Sequence, residues 1–490
     1  MRQINRDILK LAIPSILANI TVPLVGMVDI AVAGHLDSNA ATMIGGIAVG
    51  SMLFDLLYWN FGFLRVGTGG LAAQAYGRSD RRECSRIFAR AVGIALACAL
   101  VLIAIQWLFV KAAFLVVDCT PEVRELASSY FFLRIWAAPA TLSLMAFKGW
   151  FIGMQDSVSP MITDFTVNGM NVLMSIVLAL GINVGGLHFD GLGFRGIAAG
   201  TVVAQYSGLL AAILLLVFRY RKNTFSSFGI QDLKGIFKGS ETRRFFVMNT
   251  DLFVRSLCFI AIYIGFTVIS ARYGDLLLAV GSIMMKLLMI FSYFTDGFAY
   301  AGEAMTGRYI GARDGVMLRQ TVKWTFAWSM SIAFIFMGIY HFAGVPMLRM
   351  MTSDPQVVEA SREFLPWLLL MPLTGCAAFT WDGIYIGATA SKAIRNSMLW
   401  AVVGFAAVWV AGICCLETFG PSASAPVSLA PSAADPASAA SAAAAPASSL
   451  PATPYGRLAM HVLMAAYFAH LLARTLYLSA LYRKSILAAA

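Results

Sequence analysis

One acidic residue, Asp29, stands late in the first long apolar run of the sequence. Pro14, Pro23 and Gly26 precede it and indicate a bent helix. Helical spacing places Asn19 and Gly26 on roughly the same face as Asp29. A carboxylate in apolar surroundings is costly to keep ionised, so it can take up and release a proton near neutral pH. Asp29 is therefore predicted to bind protons, and the alternative is a structural acid that accepts hydrogen bonds.

A polar stripe crosses the fifth long apolar run. Its members recur at i, i+4, i+7 and i+11, which places them on one helix face: Asp164, Asn168, Asn171 and Ser175. Lipid would not tolerate this face, so the stripe is predicted to line a cavity. The alternative is that its small polar residues join neighbouring helices.

The second half of the sequence carries its own charges within apolar runs. Asp251 and Arg255 stand four residues apart, a spacing suited to an ion pair within one helix. Asp382 and Tyr385 lie one turn apart. A longer row falls along one side of a single predicted helix: Lys286, Tyr293, Asp296, Tyr300 and Glu303. These residues form either a binding chamber or a charge-balanced network that fixes helix packing, and both interpretations stay open.

Two charges of the second apolar run, Asp55 and Arg65, are further candidates for the cavity. Arg65 is expected to pair with a carboxylate of another helix.

Other chemistry has little support, because the five His are scattered and the seven Cys include no CxxC pair. The dipeptide Gly-Lys never occurs, so there is no phosphate-binding loop of the ATP-driven type. We therefore predict no catalytic residues, no metal site and no cofactor.

The composition places these residues on membrane-spanning helices. Of the 490 residues, 59% are hydrophobic and only 12% are charged, against about 25% charged in soluble proteins, and the mean hydropathy is +0.76. This excludes a soluble enzyme, a nucleic-acid-binding protein and a disordered protein. A spanning helix needs about 20 mostly apolar residues. Twelve such runs, α1 to α12, are predicted near 8–33, 43–74, 88–112, 126–152, 160–183, 193–218, 244–271, 276–306, 322–344, 357–388, 396–417 and 456–482.

The basic residues indicate how the helices are oriented. With the N-terminus inside, 23 of the 36 Lys and Arg fall in the inner loops and seven in the outer loops. Both termini are therefore predicted to be cytoplasmic, in the inner membrane of a bacterium. The distribution also explains the net charge of +11 without a nucleic-acid partner.

The two sets of six helices look like copies of one another. Gly77 and Gly311 follow similar sequences, as do Gly153 and Gly387, and both pairs are 234 residues apart. We predict an all-α membrane protein with two pseudo-symmetric six-helix lobes, a plan that suits alternating access. The predicted parts are an N-lobe (1–218), a cytoplasmic linker (219–243) and a C-lobe (244–490) with a disordered extracytoplasmic loop rich in Pro, Ala and Ser (421–454).

Four stretches resemble the MATE (multidrug and toxic compound extrusion) family. The first helix of that family is similar to AIPSILANITVPLVGMVDIAVAGHL (12–36). Its DinF-like branch is similar to NFGFLRVGTGGLAAQAYG (60–77), NTDLFVRSLC (249–258) and SYFTDGFAYAGEAMTG (292–307). The resemblance implies a twelve-helix, two-lobe antiporter that exports cationic or amphipathic drugs in exchange for H⁺ or Na⁺. A monomer in the lipid bilayer is expected.

The resemblance also assigns the coupling residues. The protonation site of such transporters matches Asp29, and a helix 5 pattern Asn-x-x-x-Asp falls on Asn171 and Ser175, so the second acid is absent. Sodium-coupled relatives use an acid of α7, where Asp251 lies. The 421–454 insertion departs from the family. Two rival functions are a lipid-linked precursor flippase, which would show a large cationic cavity, and an integral membrane enzyme, which would need clustered His, Cys or acidic residues.

Overall fold

The computed structural model describes residues 2–34, 36, 40–115, 117, 119–184, 187–222, 224–225, 229, 240–352, 354–419 and 453–489. Within them, twelve helices are long and apolar enough to cross a membrane, which confirms the predicted number. They are α1 Arg2–Gly34, α2 Ala40–Trp59 and Phe63–Gly77, α3 Arg81–Ala113, α4 Pro121–Arg134 and Ala138–Gly153, α5 Val158–Leu180, α6 Phe194–Tyr220, α7 Ser240–Ala271, α8 Asp275–Gly311, α9 Gly315–Met351, α10 Pro355–Gly387, α11 Ser391–Phe419 and α12 Pro454–Ser485.

Several helices are longer than predicted, because charged turns at their ends continue the helix beyond the apolar run. A short antiparallel hairpin, β1 Gly181–Val184 and β2 Leu187–Asp190, joins α5 to α6. Residues 421–452 of the predicted insertion (421–454) lie outside the described residues, as does much of the predicted linker (219–243).

Turns related by the 234-residue offset have the same backbone geometry. Ser79 and Arg313 both adopt a positive φ (59° and 56°), as do Gln155 and Thr389 (63° and 54°). The helices that follow the turns at Ser79 and Arg313 begin in the same way. Asp80 accepts a hydrogen bond from the backbone of Glu83, and its counterpart Asp314 accepts one from Met317. The internal repeat is therefore a repeat of structure as well as of sequence.

The landmark glycines of the repeat allow the two lobes to meet. A Cβ on Gly77 would lie 2.0 Å from the carbonyl oxygen of Arg308, and one on Gly311 would lie 2.2 Å from that of Gln74. Only glycine permits the backbones of α2 and α8 to approach so closely. Gln74 also donates hydrogen bonds to the carbonyl of Gly387 (3.1 Å) and to the hydroxyl of Thr389 (3.2 Å). All these contacts lie on the side of the molecule where the N-terminus lies, here called the terminal side.

The apolar core shows where the lobes separate. On the terminal side one core continues across both lobes, from Ile4 and Phe147 to Met305 and Tyr385. On the opposite side each lobe has its own core, one within 32–198 and one within 262–471. A cleft between the lobes therefore opens away from the terminal side.

Helix α2 changes character at the boundary between these regions. A 3₁₀ turn at Asn60–Gly62 divides it. The segment before the turn packs mainly against α1 and α4 of its own lobe, and the segment after it packs both against α4 of its own lobe and against α8 of the other lobe. The repeat-related region of α8, at 294–296, is continuous α-helix.

Candidate functional site

Asp29 is buried inside the N-lobe, where only 6% of the residue is exposed. Its carboxylate accepts a hydrogen bond from the hydroxyl of Ser175 at 3.0 Å. The same hydroxyl lies 3.4 Å from the side-chain oxygen of Asn171, one turn away on α5. The structure thus brings together the three residues predicted for ion coupling. Because Ser175 has one hydroxyl proton, it can donate fully to only one of its two acceptors at a time.

The next residue in this chain of hydrogen bonds, Thr201, was not predicted from the sequence. The amide of Asn171 donates to the hydroxyl of Thr201 on α6 at 3.0 Å, and Thr201 donates to the carbonyl of Ile197. A lone threonine in an apolar run carries no distinctive signal, since many such hydroxyls bond only to their own helix. The chain from Asp29 to Thr201 therefore links α1, α5 and α6.

Arg134 of α4 is a second residue to which sequence reasoning assigned no role. Its positive charge acts on both Asp29 and Asp55. The guanidinium donates to the hydroxyl of Tyr130 at 2.9 Å and lies 4.7 Å from the ring centre of Phe54. This contact with an aromatic face stabilises the cation. The acids of the N-lobe therefore share a basic neighbour.

The rest of the α5 stripe joins helices. Asn168 donates to the hydroxyl of Thr21 on α1, and Asp164 forms an ion pair with Lys148 of α4 at 2.6 Å. Asp164 and Asn168 are half-buried, whereas Asn171 and Ser175 are buried. The stripe therefore joins α5 to α1, α4 and α6, and the cavity predicted along it stays a prediction.

The expected ion pair between Asp251 and Arg255 is also wrong. Asp251 instead accepts from Arg395 and from the hydroxyl of Ser391, each at 2.7 Å. Helical spacing brings the two residues onto one face of α7, but the partners within ion-pair distance come from other helices, Arg395 of α11 for Asp251 and Asp382 of α10 for Arg255.

Asp382 is the centre of a charge cluster in the C-lobe. It accepts from Arg255 of α7 at 2.9 Å and from Arg474 of α12 at 2.5 Å. Arg474 is 1% exposed, so this pair is shielded from water. Tyr385, one turn away, is fully buried and donates to the carbonyl of Leu478, so it fixes α10 against α12.

An ion pair crosses between the lobes. Arg65 of α2 contacts Glu303 of α8 at 3.1 Å, which confirms the expectation that Arg65 pairs with a carboxylate of another helix. The guanidinium lies 4.4 Å from the ring centre of Tyr300, and its charge also acts on half-buried Asp296. The pair lies where the lobes are closed. Most predicted C-lobe residues therefore belong to a charge network that helps to fix helix packing.

Two candidates remain open to solvent. Asp55 and Lys286 are both exposed, and their charges act on each other across the cleft. Among the described residues, neither has an ion-pair partner within 4.0 Å. In the same part of the chain, no group of three His, Cys, Asp or Glu side chains is arranged to hold a metal ion.

Comparisons with known proteins agree with this architecture. A family model described as MatE matches residues 14–177 and 252–410. The chain is 34% identical over 402 residues to the DNA damage-inducible protein F of Escherichia coli (strain K12), covering 82% of this chain and 84% of that protein. It is 24% identical over 416 residues to the probable multidrug resistance protein NorM of Thermotoga maritima, covering 84% of each. Its fold is similar to a crystal structure of MATE in complex with MaL6 (TM-score 0.78, 13% identity, 99% and 97% coverage).

Proposed function

The chain belongs to the MATE family of membrane transporters, and we propose that it is a secondary antiporter that exports cationic and amphipathic compounds in exchange for protons. The observation that carries this proposal is the buried carboxylate of Asp29, bonded to Ser175 and so linked to α5 and α6. We place the protein in the inner membrane of a bacterium with both termini in the cytoplasm. The cleft then opens to the outside.

Protonation of Asp29 changes the direction of the hydrogen bonds around it. Ionised Asp29 accepts the proton of the Ser175 hydroxyl. Once Asp29 carries a proton, it can donate to that oxygen, and Ser175 can turn its own proton toward Asn171. The state of α1 is in this way communicated to α5, and through Thr201 to α6.

The surroundings of Asp29 favour a proton over a metal cation. Hard metal ions bind several oxygen ligands at once, whereas Asp29 receives a hydrogen bond from a single hydroxyl and lies within the influence of the Arg134 charge. A proton needs only one oxygen. Sodium coupling remains the competing proposal, with the C-lobe acid Asp251 as its candidate.

Exchange follows when the two ligands favour different states. With the cleft open to the outside, Asp29 takes up a proton and the cleft loses negative charge, which weakens the binding of a cationic drug. After the lobes open to the cytoplasm, the proton leaves and the restored negative charge binds the next drug molecule. Each ligand therefore displaces the other.

The test uses purified protein in liposomes loaded with a fluorescent cationic drug, under a pH gradient and then under a sodium gradient. Asp29→Asn is compared with wild type and with Asp275→Asn, which removes an exposed acid at the start of α8. We expect the pH gradient to drive transport in wild type and Asp275→Asn but not in Asp29→Asn. Transport driven by sodium alone would refute proton coupling. Movement of no cationic drug under either gradient would refute the substrate class and favour the flippase.

A further inference from the structure

Most of the membrane-embedded charges described above are paired or at least half-buried, which makes the exposed charges of Asp55 and Lys286 stand out. Arg65 pairs with Glu303, Lys148 with Asp164, and Arg255 and Arg474 share Asp382. Asp55 and Lys286 have no such partner in the described part of the chain. An unpaired charge within a membrane helix is costly and is usually found facing an aqueous cavity. Both residues are exposed, so they face either the cleft or the lipid.

The contacts of α2 and α8 place that exposure between the lobes and not in the lipid. Lys286 lies on the side of α8 that carries Tyr300, whose ring contacts the guanidinium of Arg65 of α2 at 4.4 Å, so this side of α8 faces the N-lobe. The charges of Arg134 and Lys286 both act on Asp55. Trp59, one turn beyond Asp55, has its ring centre 5.4 Å from that of Tyr263. Asp55 therefore faces the C-lobe across the gap.

Asp55 and Lys286 are near enough to attract and too far apart to touch. They interact electrostatically, yet the separation exceeds the 4.0 Å of an ion pair. A ligand can fill this gap with two charges of its own, a cationic group toward Asp55 and an anionic group toward Lys286. The aromatic rings of Trp59 and Tyr263 supply an apolar surface beside it, and their faces attract cations.

We propose that Asp55 and Lys286 form one binding subsite for zwitterionic amphiphiles, with the acid on one lobe and the base on the other. This inference rests on the proposed function and names a substrate class for it. A ligand with a single positive charge pairs with Asp55, but Lys286 is left without a partner and repels the ligand. A zwitterion satisfies both charges, so the subsite discriminates by charge pattern and not by net charge.

A matched pair of dyes tests this proposal. The free acid of a rhodamine is a zwitterion, and the methyl ester of the same dye is a cation of nearly the same shape. Equilibrium binding to the purified full-length protein in nanodiscs is measured by fluorescence polarisation, with empty nanodiscs as the background. We expect wild type to bind the free acid about tenfold more tightly than the ester, the effect of one charge-assisted contact.

The variants assign the preference to the two residues. Lys286→Gln should weaken binding of the free acid about tenfold and leave binding of the ester unchanged or stronger. Asp55→Asn should weaken binding of both dyes. Lys323→Gln, which removes an exposed lysine of α9 outside the cleft, should leave both affinities as in wild type.

Two results would overturn the proposal. One is equal affinity for the two dyes in wild type, or a preference that Lys286→Gln leaves intact. The other concerns the double variant Asp55→Lys with Lys286→Asp, in which the two charges are exchanged. If this variant transports normally and shows no preference between the dyes, the two side chains pair with each other when the cleft closes. Binding needs no gradient, so a dye preference without gradient-driven transport would refute the antiporter and not the subsite.

Discussion

Gly69 of α2 makes a sharp test of how the lobes are held closed on the terminal side. A Cβ at this position would lie 2.0 Å from the carboxylate oxygen Oε1 of Glu303. Ordinary van der Waals contacts begin near 3.4 Å, so in Gly69→Ala the carboxylate must move by more than an ångström. We expect this displacement to break the 3.1 Å pair that the other carboxylate oxygen of Glu303 forms with Arg65. The substitution therefore disrupts the ion pair between the lobes without removing either charge.

The magnitude follows from the burial of the pair. Glu303 is completely buried, and breaking a buried ion pair costs about 3–5 kcal/mol. The gain in helix propensity from glycine to alanine belongs to α2 itself and is the same in both conformations, so it cancels and about 3–5 kcal/mol acts against the closed terminal side. Once the lobes separate there, the clash disappears. The population ratio should shift toward the opposite conformation by about 100-fold or more.

The assay measures the distance between the lobes. Spin labels are attached at Arg221→Cys, directly after α6, and at Lys392→Cys of α11, two exposed positions on the terminal side, in a chain whose seven native cysteines are replaced. Gly69→Ala should broaden the distance distribution toward longer values. Gly169→Ala is the matched control, because a Cβ there meets nothing within 4 Å. Identical distributions in the two variants would refute the role of the ion pair in closure.

The remaining predictions concern the two buried acids. Ser175→Ala removes the hydroxyl that donates to ionised Asp29. The half-maximal pH of proton-driven transport should therefore move upward by about one unit. An unchanged pH profile would show that the hydroxyl does not stabilise the ionised form of Asp29. Arg474→Gln and Arg255→Gln each remove one partner of Asp382. Since Arg474 is buried and the side chain of Arg255 is 24% exposed, loss of Arg474 should lower the free energy of unfolding by about 3–5 kcal/mol and loss of Arg255 by about 1 kcal/mol. Equal thermal shifts in detergent would contradict this ranking.

The sequence was sufficient for the helices because each span is a property of a continuous segment. Apolar runs and basic loops locate all twelve, and the glycines near Gly77 and Gly311 reveal the repeat. Helical spacing also grouped Asn171 with Ser175, since residues four apart share a face. These inferences need no knowledge of which helices are neighbours.

Partners between helices could not be predicted in the same way. Spacing suggested that Asp251 pairs with Arg255, whereas packing supplies Arg395 from α11. The contact of Asn171 with Thr201 and the proximity of Arg134 to Asp29 likewise depend on how separate helices are assembled. Such contacts join residues that are distant in the chain, and no local pattern encodes them.

The 3₁₀ turn of α2 makes the two halves of the repeat mechanically unequal. Non-α turns within a helix often serve as hinges, and this one, at Asn60–Gly62, lies where the two-lobe core gives way to separate cores. Because its counterpart in α8 is unbroken, α2 is the more compliant of these two related helices. Bending should therefore concentrate in the lobe that contains Asp29, where protonation of this residue can act on a flexible helix. Two helices that are related by the internal repeat thus differ in how easily they bend.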